Sequence, residues 1–409
     1  MIKLLHLADL HIGVENYGRL DPVSGLHTRL KDYLDRLDEA MSFALDEGVH
    51  LVIIAGDIYK NRLPNPTHQR EFARRIGRLR EAGIPVFMIT GNHDISPAAG
   101  RAHSVEIFQA LAVQGVMVAH KPRIECIETR AGRVQIIAVP WVSRQALLTR
   151  DETQGLTISE IDSLLRQKMN AFIERSIREL DPTIPAVLTL HGTIDGATFG
   201  AERAITLGQD LVFARSLVAQ PVLDYVALGH IHRHQSLGEH PPIVYPGSIE
   251  RIDFGEKDED KGCVLVELAK GATRWHFKKL DARPFISIEV DVRLSSNPEE
   301  RIAVAISRHD VQRAVVRVDV RATREQAAAL RSEDIRQQLE DAHAFFIAAI
   351  NIEAERETRT RLGSADEGFD LLRELTPRKA LELYLKSKDT PPDRIAALLA
   401  AADELLTDE

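Results

Sequence analysis

Five short apolar segments of this 409-residue chain each end in residues that can bind a metal ion. The segments span 3–8, 51–55, 85–90, 186–190 and 225–228, and the polar residues that follow them are Asp9, His11, Asp57, Asn92, His93, Asp94, His191, His230 and His232. An apolar run of this length is typical of a buried strand, and α/β sheets carry their chemistry where parallel strands end. We therefore predict that these side chains converge in one pocket.

The donor types at these strand ends favour a pair of divalent metal ions. One set would be Asp9, His11, Asp57 and His232, and the other Asp57, Asn92, His191 and His230. Asp57 belongs to both sets because a carboxylate has two oxygens and can bridge two cations. Imidazole, carboxylate and amide oxygen suit borderline-hard ions, so we expect two Mn²⁺ ions, with Mg²⁺, Fe²⁺ and Zn²⁺ as alternatives. Two such ions activate a shared water and clamp a phosphate ester, which predicts hydrolysis without a covalent enzyme intermediate.

His93 and Asp94 are predicted to be catalytic and not metal ligands. In an extended segment His93 would point away from the side on which Asn92 lies, which would place it near the leaving group. There it would stabilise the developing charge or protonate the leaving alkoxide. Asp94 would accept a hydrogen bond from His93 and fix its tautomer.

Each of these residues also has an ordinary structural explanation. A histidine after a strand is usually a polar loop residue, Gly56-Asp57 is a common turn sequence, and Asn92 tolerates a left-handed backbone. Singly, each residue is best explained this way. As an ordered set of Asp-x-His, Gly-Asp, Gly-Asn-His-Asp, His and Gly-His-x-His, they are not explained by packing alone.

Composition narrows the class of protein. The chain has 44% hydrophobic and 28% charged residues, and it has no apolar run of the roughly 18 residues that a membrane span needs. We expect a cytoplasmic protein. The two cysteines, Cys126 and Cys263, fall in predicted strands and are expected to be small core residues without a disulfide. Because the net charge is −9, binding to DNA would need local basic patches, bound metals or a partner chain.

The segments between the predicted ligands alternate between helix and strand. Apolar spacing predicts helices over 28–47, 67–82, 102–111 and 159–180, and short strands fill 116–139 and 243–280. Two sheets packed face to face with outer helices would accommodate this order. The arginines of the 67–82 helix could follow a phosphate backbone, although such a run is more often a solvated face paired with nearby glutamates.

Composition changes near residue 281. Strands over 285–292, 314–320 and 345–352, with helices over 298–308 and 324–340, predict a small α+β unit. Residues 361–368 resemble a linker, and two helices, 376–388 and 393–406, form the tail. The last helix has an apolar stripe that needs a surface, either in this protein's core or on a partner.

The ordered set of polar residues resembles the calcineurin-like metallophosphoesterase superfamily over residues 1–280. Within it the chain is similar to the SbcD-type and Mre-type repair nucleases, through KLLHLADLHIG at the start, GDIYKNRLPNPTHQREF, GNHD and YPGSIERIDFGE. The resemblance implies an α/β four-layer sandwich of two sheets flanked by helices, with a dinuclear metal site at the strand ends. It places the ligands on the seven residues named above and the transition-state histidine on His93. Lys60 is a departure, because several nucleases of the family have a histidine or aspartate shortly after the bridging aspartate.

The same resemblance implies an organisation and a function. Residues 1–281 would be the nuclease domain, 282–362 a capping domain, and 363–409 a linker and helices that grip an SbcC-type ABC ATPase. Helices near 67–82 and 102–112 would form a homodimer, although their apolar residues equally permit burial within one chain. We expect a manganese-dependent DNA nuclease, a double-strand 3′–5′ exonuclease and single-strand endonuclease associated with the nucleoid. The alternatives are a phosphoesterase for small phosphates or cyclic nucleotides, and a scaffold of this fold that binds partners but no metal.

Overall fold

The computed structural model describes residues 1–95, 101–141, 154–200, 211–355, 381–382, 385–386 and 391–406. The chain divides into two units, Met1–Glu353 and Ala354–Glu409. The strands of the first 281 residues are β1 (Ile2–Leu7), β2 (Leu51–Ala55), β3 (Val86–Ile89), β4 (Val116–Ala119), β5 (Arg123–Thr129), β6 (Gly132–Val139), β7 (Ala186–His191), β8 (Thr193–Ile194), β9 (Val212–Phe213), β10 (Tyr225–Gly229), β11 (Gln235–Glu239), β12 (Pro242–Tyr245), β13 (Gly262–Leu268) and β14 (Arg274–Lys279). The helices are α1 (Thr28–Asp46), α2 (Pro66–Glu81), α3 (Glu106–Ala110), α4 (Ile158–Glu179) and α5 (Arg215–Val218).

Two six-stranded sheets form the centre of this part of the chain. The first has the order β14-β13-β1-β2-β3-β4, and the second has the order β11-β12-β10-β7-β6-β5. In the first sheet β1, β2, β3 and β4 run parallel, and β13 and β14 extend the β1 side in antiparallel pairing. In the second sheet β12, β10, β7 and β6 run parallel between the antiparallel edge strands β11 and β5. Parallel strands end on the same edge of a sheet, so the residues after β1, β2, β3, β7 and β10 are brought to one side.

The sheets are covered on both faces, which explains the continuous apolar runs. Leu4 and Ile53 of the first sheet and Ile136 and Val187 of the second belong to one buried layer between the sheets. α1 and α2 cover the outer face of the first sheet, and α4 covers that of the second. Strands buried on both faces need apolar residues at every position, unlike the alternating pattern of a half-exposed sheet. The predicted four-layer α/β fold is therefore confirmed.

Two local predictions in this region are corrected. The helix expected over 102–111 is shorter in the structure and comprises only α3. The residues before α3 make non-helical hydrogen bonds: Ser104 N donates to the Asp94 carbonyl (3.0 Å), and His103 N donates to Glu106 Oε2 (3.1 Å). Both cysteines lie in strands and are free, but only Cys263 is buried. Cys126 is exposed because β5 is an edge strand, so the prediction that it is a core residue was wrong.

Residues after 281 build a small α+β unit with its own apolar core. It contains β15 (Phe285–Asp291), α6 (Pro298–Ser307), β16 (Val315–Ala322), α7 (Arg324–Ala329), α8 (Ser332–Asp341) and β17 (Phe346–Ala354). The strands form one sheet in the order β15-β16-β17. The single helix predicted over 324–340 is in fact two, because Leu330 is extended (ψ 132°) and packs on this core.

An ion pair and aromatic contacts join this small unit to the sandwich. Arg283 Nε donates to Asp32 Oδ2 of α1 (2.6 Å), and Asp32 also accepts from Arg29 (2.6 Å). The rings of Tyr17 and Phe285 lie edge to face at 5.6 Å. Tyr17 and the N-terminal half of α1 thus anchor the residues that follow β14.

In the C-terminal unit, Ala354–Glu409, the longest described element is the helix α9 (Pro392–Leu406), which confirms the predicted last helix. The predicted helix over 376–388 falls largely outside the described residues, of which 381–382 and 385–386 are helical. The predicted linker over 361–368 also lies outside them. Among the helices that the structure describes, none combines the length and hydropathy of a membrane span.

Candidate metal centre

The ends of five parallel strands bring the predicted ligands together. Asp9 and His11 follow β1, Asp57 follows β2, Asn92 follows β3, His191 ends β7, and His230 and His232 follow β10. Backbone hydrogen bonds link neighbouring strand ends: Asp9 N donates to the Gly56 carbonyl (3.1 Å), and His11 N donates to the Asp57 carbonyl (3.0 Å). All these side chains are buried except Asn92, which is half-buried. Residues from both sheets therefore meet at one site.

Several of these residues have a strained backbone. Asp9, His11, Asp57 and His230 have φ values of 51°, 42°, 50° and 103°, in the left-handed region that L-residues seldom adopt. Each such residue costs on the order of 1–3 kcal/mol and persists only where its surroundings hold it. Here His230 N donates to Asp9 Oδ1 (2.9 Å), and the strand ends are cross-linked as above. The fold thus fixes the direction of these side chains.

Asp9, His11 and His232 form the first group of donors. Their ligating atoms all lie within 4.8 Å of one another, and His11 Nε2 is 3.0 Å from His232 Nε2. The second group consists of Asp57, His191 and His230, with the Asn92 Oδ1 atom 3.1 Å from His191 Nε2 and 3.2 Å from His230 Nδ1. These groups correspond to the two sets that the sequence separates.

Asp57 lies between the two groups. Its Oδ2 atom is 3.4 Å from His191 Nε2 and 3.8 Å from His11 Nε2, so one carboxylate faces both sets. Its Oδ1 atom accepts a hydrogen bond from His93 N (2.9 Å). Gly91 is needed for this approach, because a Cβ atom there would overlap the Asp57 carboxylate.

His93 and Asp94 are placed differently from the expectation. Residues 92–94 form a turn and not an extended segment, and a His93 ring nitrogen lies within 4.8 Å of donor atoms of His11 and Asp57. His93 Nδ1 is bonded to the Lys60 carbonyl (2.7 Å), so the predicted Asp94 hydrogen bond to His93 was wrong. Asp94 instead accepts from the backbone N–H groups of residues 58, 59 and 91 and from a serine hydroxyl, which stabilises the turn.

Three further residues border the centre, and they were not identified from the sequence. Glu256 Oε1 is 2.8 Å from His232 Nδ1, and Lys261 Nζ is 2.9 Å from Glu256 Oε2. The Trp141 ring lies 5.2 Å from the His230 ring. Glu256 falls in the segment IDFGE, which carried the family resemblance, but nothing in a single sequence indicates which carboxylate faces His232.

The buried charges shift one another strongly. Burial lowers the pKa of His191, but the Asp57 carboxylate outweighs this effect and raises that pKa to about 9. Burial also raises the pKa of Asp57, and the same ion pair holds it below its usual value. Burial raises the pKa of Asp9, and burial together with His232 holds the pKa of His11 well below its usual value. The pocket therefore keeps two carboxylates, a neutral His11 and a His191 ring that Asp57 holds protonated, all away from water.

This donor set fits a pair of divalent cations. Buried carboxylates that face each other repel, and cations placed between them would relieve that repulsion while accepting imidazole nitrogens. The His232 ring is oriented to bind a metal ion. Its Nδ1 donates a hydrogen bond to Glu256, so its Nε2 is directed at His11. No cysteine sulfur belongs to the groups that could hold a metal among the described residues.

A two-sheet α/β sandwich with Asp, Asn and His at its strand ends defines the class of metal-dependent phosphoesterases. The sequence profile of the calcineurin-like phosphoesterase family matches residues 2–234, and the chain belongs to this family. The predicted resemblance is therefore confirmed, and the chain is a metallophosphoesterase, a class of hydrolase that uses divalent metals.

The proteins similar to this chain include a DNA repair protein, a nuclease subunit and a metallophosphoesterase. The chain is 24% identical to the DNA double-strand break repair protein Mre11 of Archaeoglobus fulgidus over 370 residues, 83% of this chain and 76% of that protein. It is 28% identical to the SbcD component of the SbcCD nuclease of Rhodobacter capsulatus over 296 residues, 67% of this chain and 68% of that protein. It is also 26% identical to the uncharacterized metallophosphoesterase YhaO of Bacillus subtilis over 300 residues, 72% of this chain and 64% of that protein.

Proposed function

We propose that this protein is a DNA nuclease that hydrolyses phosphodiester bonds with two divalent metal ions, with Mn²⁺ as the expected metal. The observation that carries the proposal is the pair of donor groups that share Asp57 at the ends of strands from both sheets. The names of the nuclease relatives support the choice of DNA among phosphodiesters. We propose both double-strand 3′–5′ exonuclease and single-strand endonuclease activity, in the cytoplasm.

The ligand roles follow from the two groups. Asp9, His11 and His232 would hold one ion, Asn92, His191 and His230 would hold the other, and Asp57 would contact both. When bound, the two ions would supply a nucleophilic water of lowered pKa and neutralise the negative charge of the phosphate. The left-handed backbone at four of these residues keeps the donors in place before any ion binds.

His93 is the residue we assign to the leaving group. The Lys60 carbonyl can only accept a hydrogen bond, so it holds the proton on His93 Nδ1 and leaves Nε2 as the reactive nitrogen. A protonated Nε2 can donate to the leaving oxygen, which contributes a typical 10²- to 10⁴-fold in rate. Asp94 would act only by holding the turn that carries His93, through its backbone hydrogen bonds.

The mouth of the site suits a long substrate. His93 and Asn92 line an open cleft of about 560 Å³ together with Asn61, Arg62 and Leu63. Arg62 is exposed and has no ion pair or hydrogen bond within the described part of the chain, so its guanidinium is available to a phosphate. A substrate with a second phosphate next to the scissile one could place that second phosphate against the Arg62 guanidinium.

The acidic balance of the chain favours a second candidate, a phosphoesterase for small phosphates or cyclic nucleotides. The net charge is −9, and four of the five arginines of α2 are paired with acids: Arg75 and Arg78 with Asp38, and Arg70 and Arg74 with Glu71. These pairs support the interpretation of α2 as a solvated face over that of a track for a phosphate backbone. The similarity to YhaO, which has no nuclease name, is compatible with this candidate.

Cleavage of two substrates by three variants tests the proposal. With Mn²⁺, wild-type protein should release nucleotides from end-labelled duplex DNA, and His93→Ala should lose at least 100-fold in rate while it still binds two metal ions per chain. Arg62→Gln should slow DNA cleavage and leave bis(p-nitrophenyl) phosphate hydrolysis unchanged, because the small diester has no second phosphate. Arg78→Gln, which removes a paired arginine, is the matched control. Hydrolysis of small esters without cleavage of DNA would favour the second candidate, and absence of metal binding would favour a scaffold.

We also propose a homodimer through α2 and α3. These helices border an apolar groove of about 450 Å³, and Ile107 and Leu111 beside it are 51% and 69% exposed. Ile107→Asp should convert the dimer to a monomer in sedimentation. Leu294→Asp, at a fully exposed leucine on a different surface, should leave the dimer intact. A wild-type monomer would contradict this interface.

We keep the predicted domain organisation as a proposal. Residues 1–281 would be the nuclease domain, 282–362 its capping domain, and 363–409 the segment that binds an SbcC-type ABC ATPase. The apolar stripe of α9 supports the last assignment, since Leu398 is 41% exposed and open to a partner surface, whereas Leu399 is already buried. Truncation after residue 362 should abolish co-purification with the ATPase of the same host and preserve hydrolysis of the small diester.

A further inference from the structure

A buried acid and base stand directly behind one of the ligand histidines. Glu256 Oε1 accepts from His232 Nδ1 at 2.8 Å, and Glu256 Oε2 is 2.9 Å from Lys261 Nζ. Lys261 Nζ also donates to the His232 carbonyl (3.2 Å) and to Glu259 (2.9 Å). Lys261 is 0% exposed and Glu256 is 2% exposed. Both the ring and the backbone of His232 are therefore held by the same ion pair.

Such a pair is unusual for a core. Removing a carboxylate and an ammonium from water has a desolvation cost that their attraction often fails to offset, so apolar residues would pack the same space with equal or greater stability. Lysine is among the residues least often found fully buried. The pair is therefore better explained by what it does for His232 than by stability.

The two halves of the centre are supported by different means. In the second half, His191 Nδ1 is bonded to the Ala55 backbone carbonyl at 2.7 Å, a partner that no side-chain substitution removes. In the first half, the corresponding partner of His232 is the side chain of Glu256. A carboxylate in this place fixes the tautomer and the ring orientation, and it makes the free nitrogen a stronger ligand.

We propose that Glu256 and Lys261 are positioning residues that determine whether the first of the two metal sites, formed by Asp9, His11 and His232, is filled. Glu256 holds the proton of His232 on Nδ1, and Nε2 remains free to ligate beside His11 Nε2, 3.0 Å away. Lys261 neutralises Glu256 and fixes the His232 backbone. This inference rests on the proposed two-metal centre, and it predicts that the second site binds its ion independently of Glu256.

Metal binding by Glu256→Gln tests this role without relying on activity. Calorimetric titration with Mn²⁺ should show two ions in the wild-type protein, and in the variant one ion of unchanged affinity and one weakened 10- to 100-fold. At one equivalent of Mn²⁺ bound per chain, the electron paramagnetic resonance spectrum of the variant should be that of an isolated ion. The spin-coupled spectrum of two neighbouring ions should appear only in the wild-type protein at two equivalents.

Two further variants separate positioning from general stability. Lys261→Gln should weaken the same ion and serves as the test if Glu256→Gln does not fold. Asp224→Asn is the matched control, since Asp224 is a buried carboxylate that pairs with Lys270 (3.1 Å) and caps the opposite end of β7. It should lower the melting temperature and retain both ions.

The outcomes distinguish this inference from the proposed function. Wild-type protein that binds fewer than two ions would overturn the two-metal centre itself. Two ions of unchanged affinity in a folded Glu256→Gln variant, or equal weakening of both ions, would overturn the positioning role and leave the centre standing.

Discussion

Acidification should destabilise the protein through His6, a buried histidine of β1. Its Nε2 is 3.1 Å from the Leu228 carbonyl and its Nδ1 is 3.0 Å from the Tyr225 hydroxyl, so the neutral ring joins the first sheet to the second. Burial lowers its pKa from 6.5 to about 3. The folded-state pKa lies below the unfolded value, so the unfolded chain binds the extra proton between these two values. The stability that His6 contributes is complete above pH 6.5 and is lost progressively as the pH falls toward 3.

The size of the effect follows from the distance in pH below 6.5. At pH 5 the pH lies 1.5 units below the unfolded-state pKa of 6.5, and each unit favours protonation of the unfolded chain by about 1.36 kcal/mol. His6 alone should therefore remove about 2 kcal/mol from the free energy of unfolding. Because the ring is fully buried, solvent screening does not reduce this value.

Urea unfolding of wild type and His6→Asn at pH 7 and pH 5, in EDTA so that metal release does not contribute, measures this difference. His6→Asn should be less stable at both pH values, because it cannot bridge both partners. Its loss of stability between the two pH values should be about 2 kcal/mol smaller than that of wild type. All other titrating groups are common to both proteins and cancel. An equal loss in the two proteins would refute the assignment of a neutral, proton-excluding His6.

Three other substitutions or reagents test separate features. Gly91→Ala should abolish metal binding, measured by calorimetry, because its Cβ would overlap the Asp57 carboxylate; normal two-ion binding would show that the turn can move. Asp32→Ala should destabilise the protein by about 3 kcal/mol in urea unfolding, since it removes the close acidic partner of the buried Arg29 and leaves only Glu250 at 3.8 Å, and a change below about 1 kcal/mol would contradict that view. Ellman's reagent should label Cys126 and not Cys263 in the native protein, because Cys263 is buried and burial raises its thiol pKa to about 12. Two labelled thiols before denaturation would contradict the strand assignment.

The strands and the placement of the ligands were predictable because both depend on local pattern. A run such as residues 51–55 has apolar side chains on both faces, and only a strand covered on both sides accommodates that. The polar residue that follows must then lie at the sheet edge. The ends of five such runs therefore indicate Asp57 and its neighbours from the sequence alone.

Features that depend on backbone atoms or long-range packing were not predictable. The partner of His93 is the carbonyl of Lys60, and any residue at that position supplies the same atom. Glu256 reaches His232 from 24 positions away, through a 3₁₀ turn (Phe254–Glu256) whose placement depends on the pairing of β13 with β1. Likewise, α7 ends at Leu330 because this residue packs against the core of the α+β unit, and local helix propensity does not predict that contact.

The left-handed backbone at Asp9 and Asp57 limits which sequences can occupy these positions. Asparagine is the residue that shares the size of aspartate and its tolerance of positive φ, whereas glutamate and β-branched residues would strain the chain. Asp→Asn exchanges at these two positions therefore change the charge of the pocket with little change of its shape. Such substitutions would vary the electrostatic field on a bound ion without changing the architecture. They are also the substitutions by which a protein of this fold would most readily lose metal affinity during evolution.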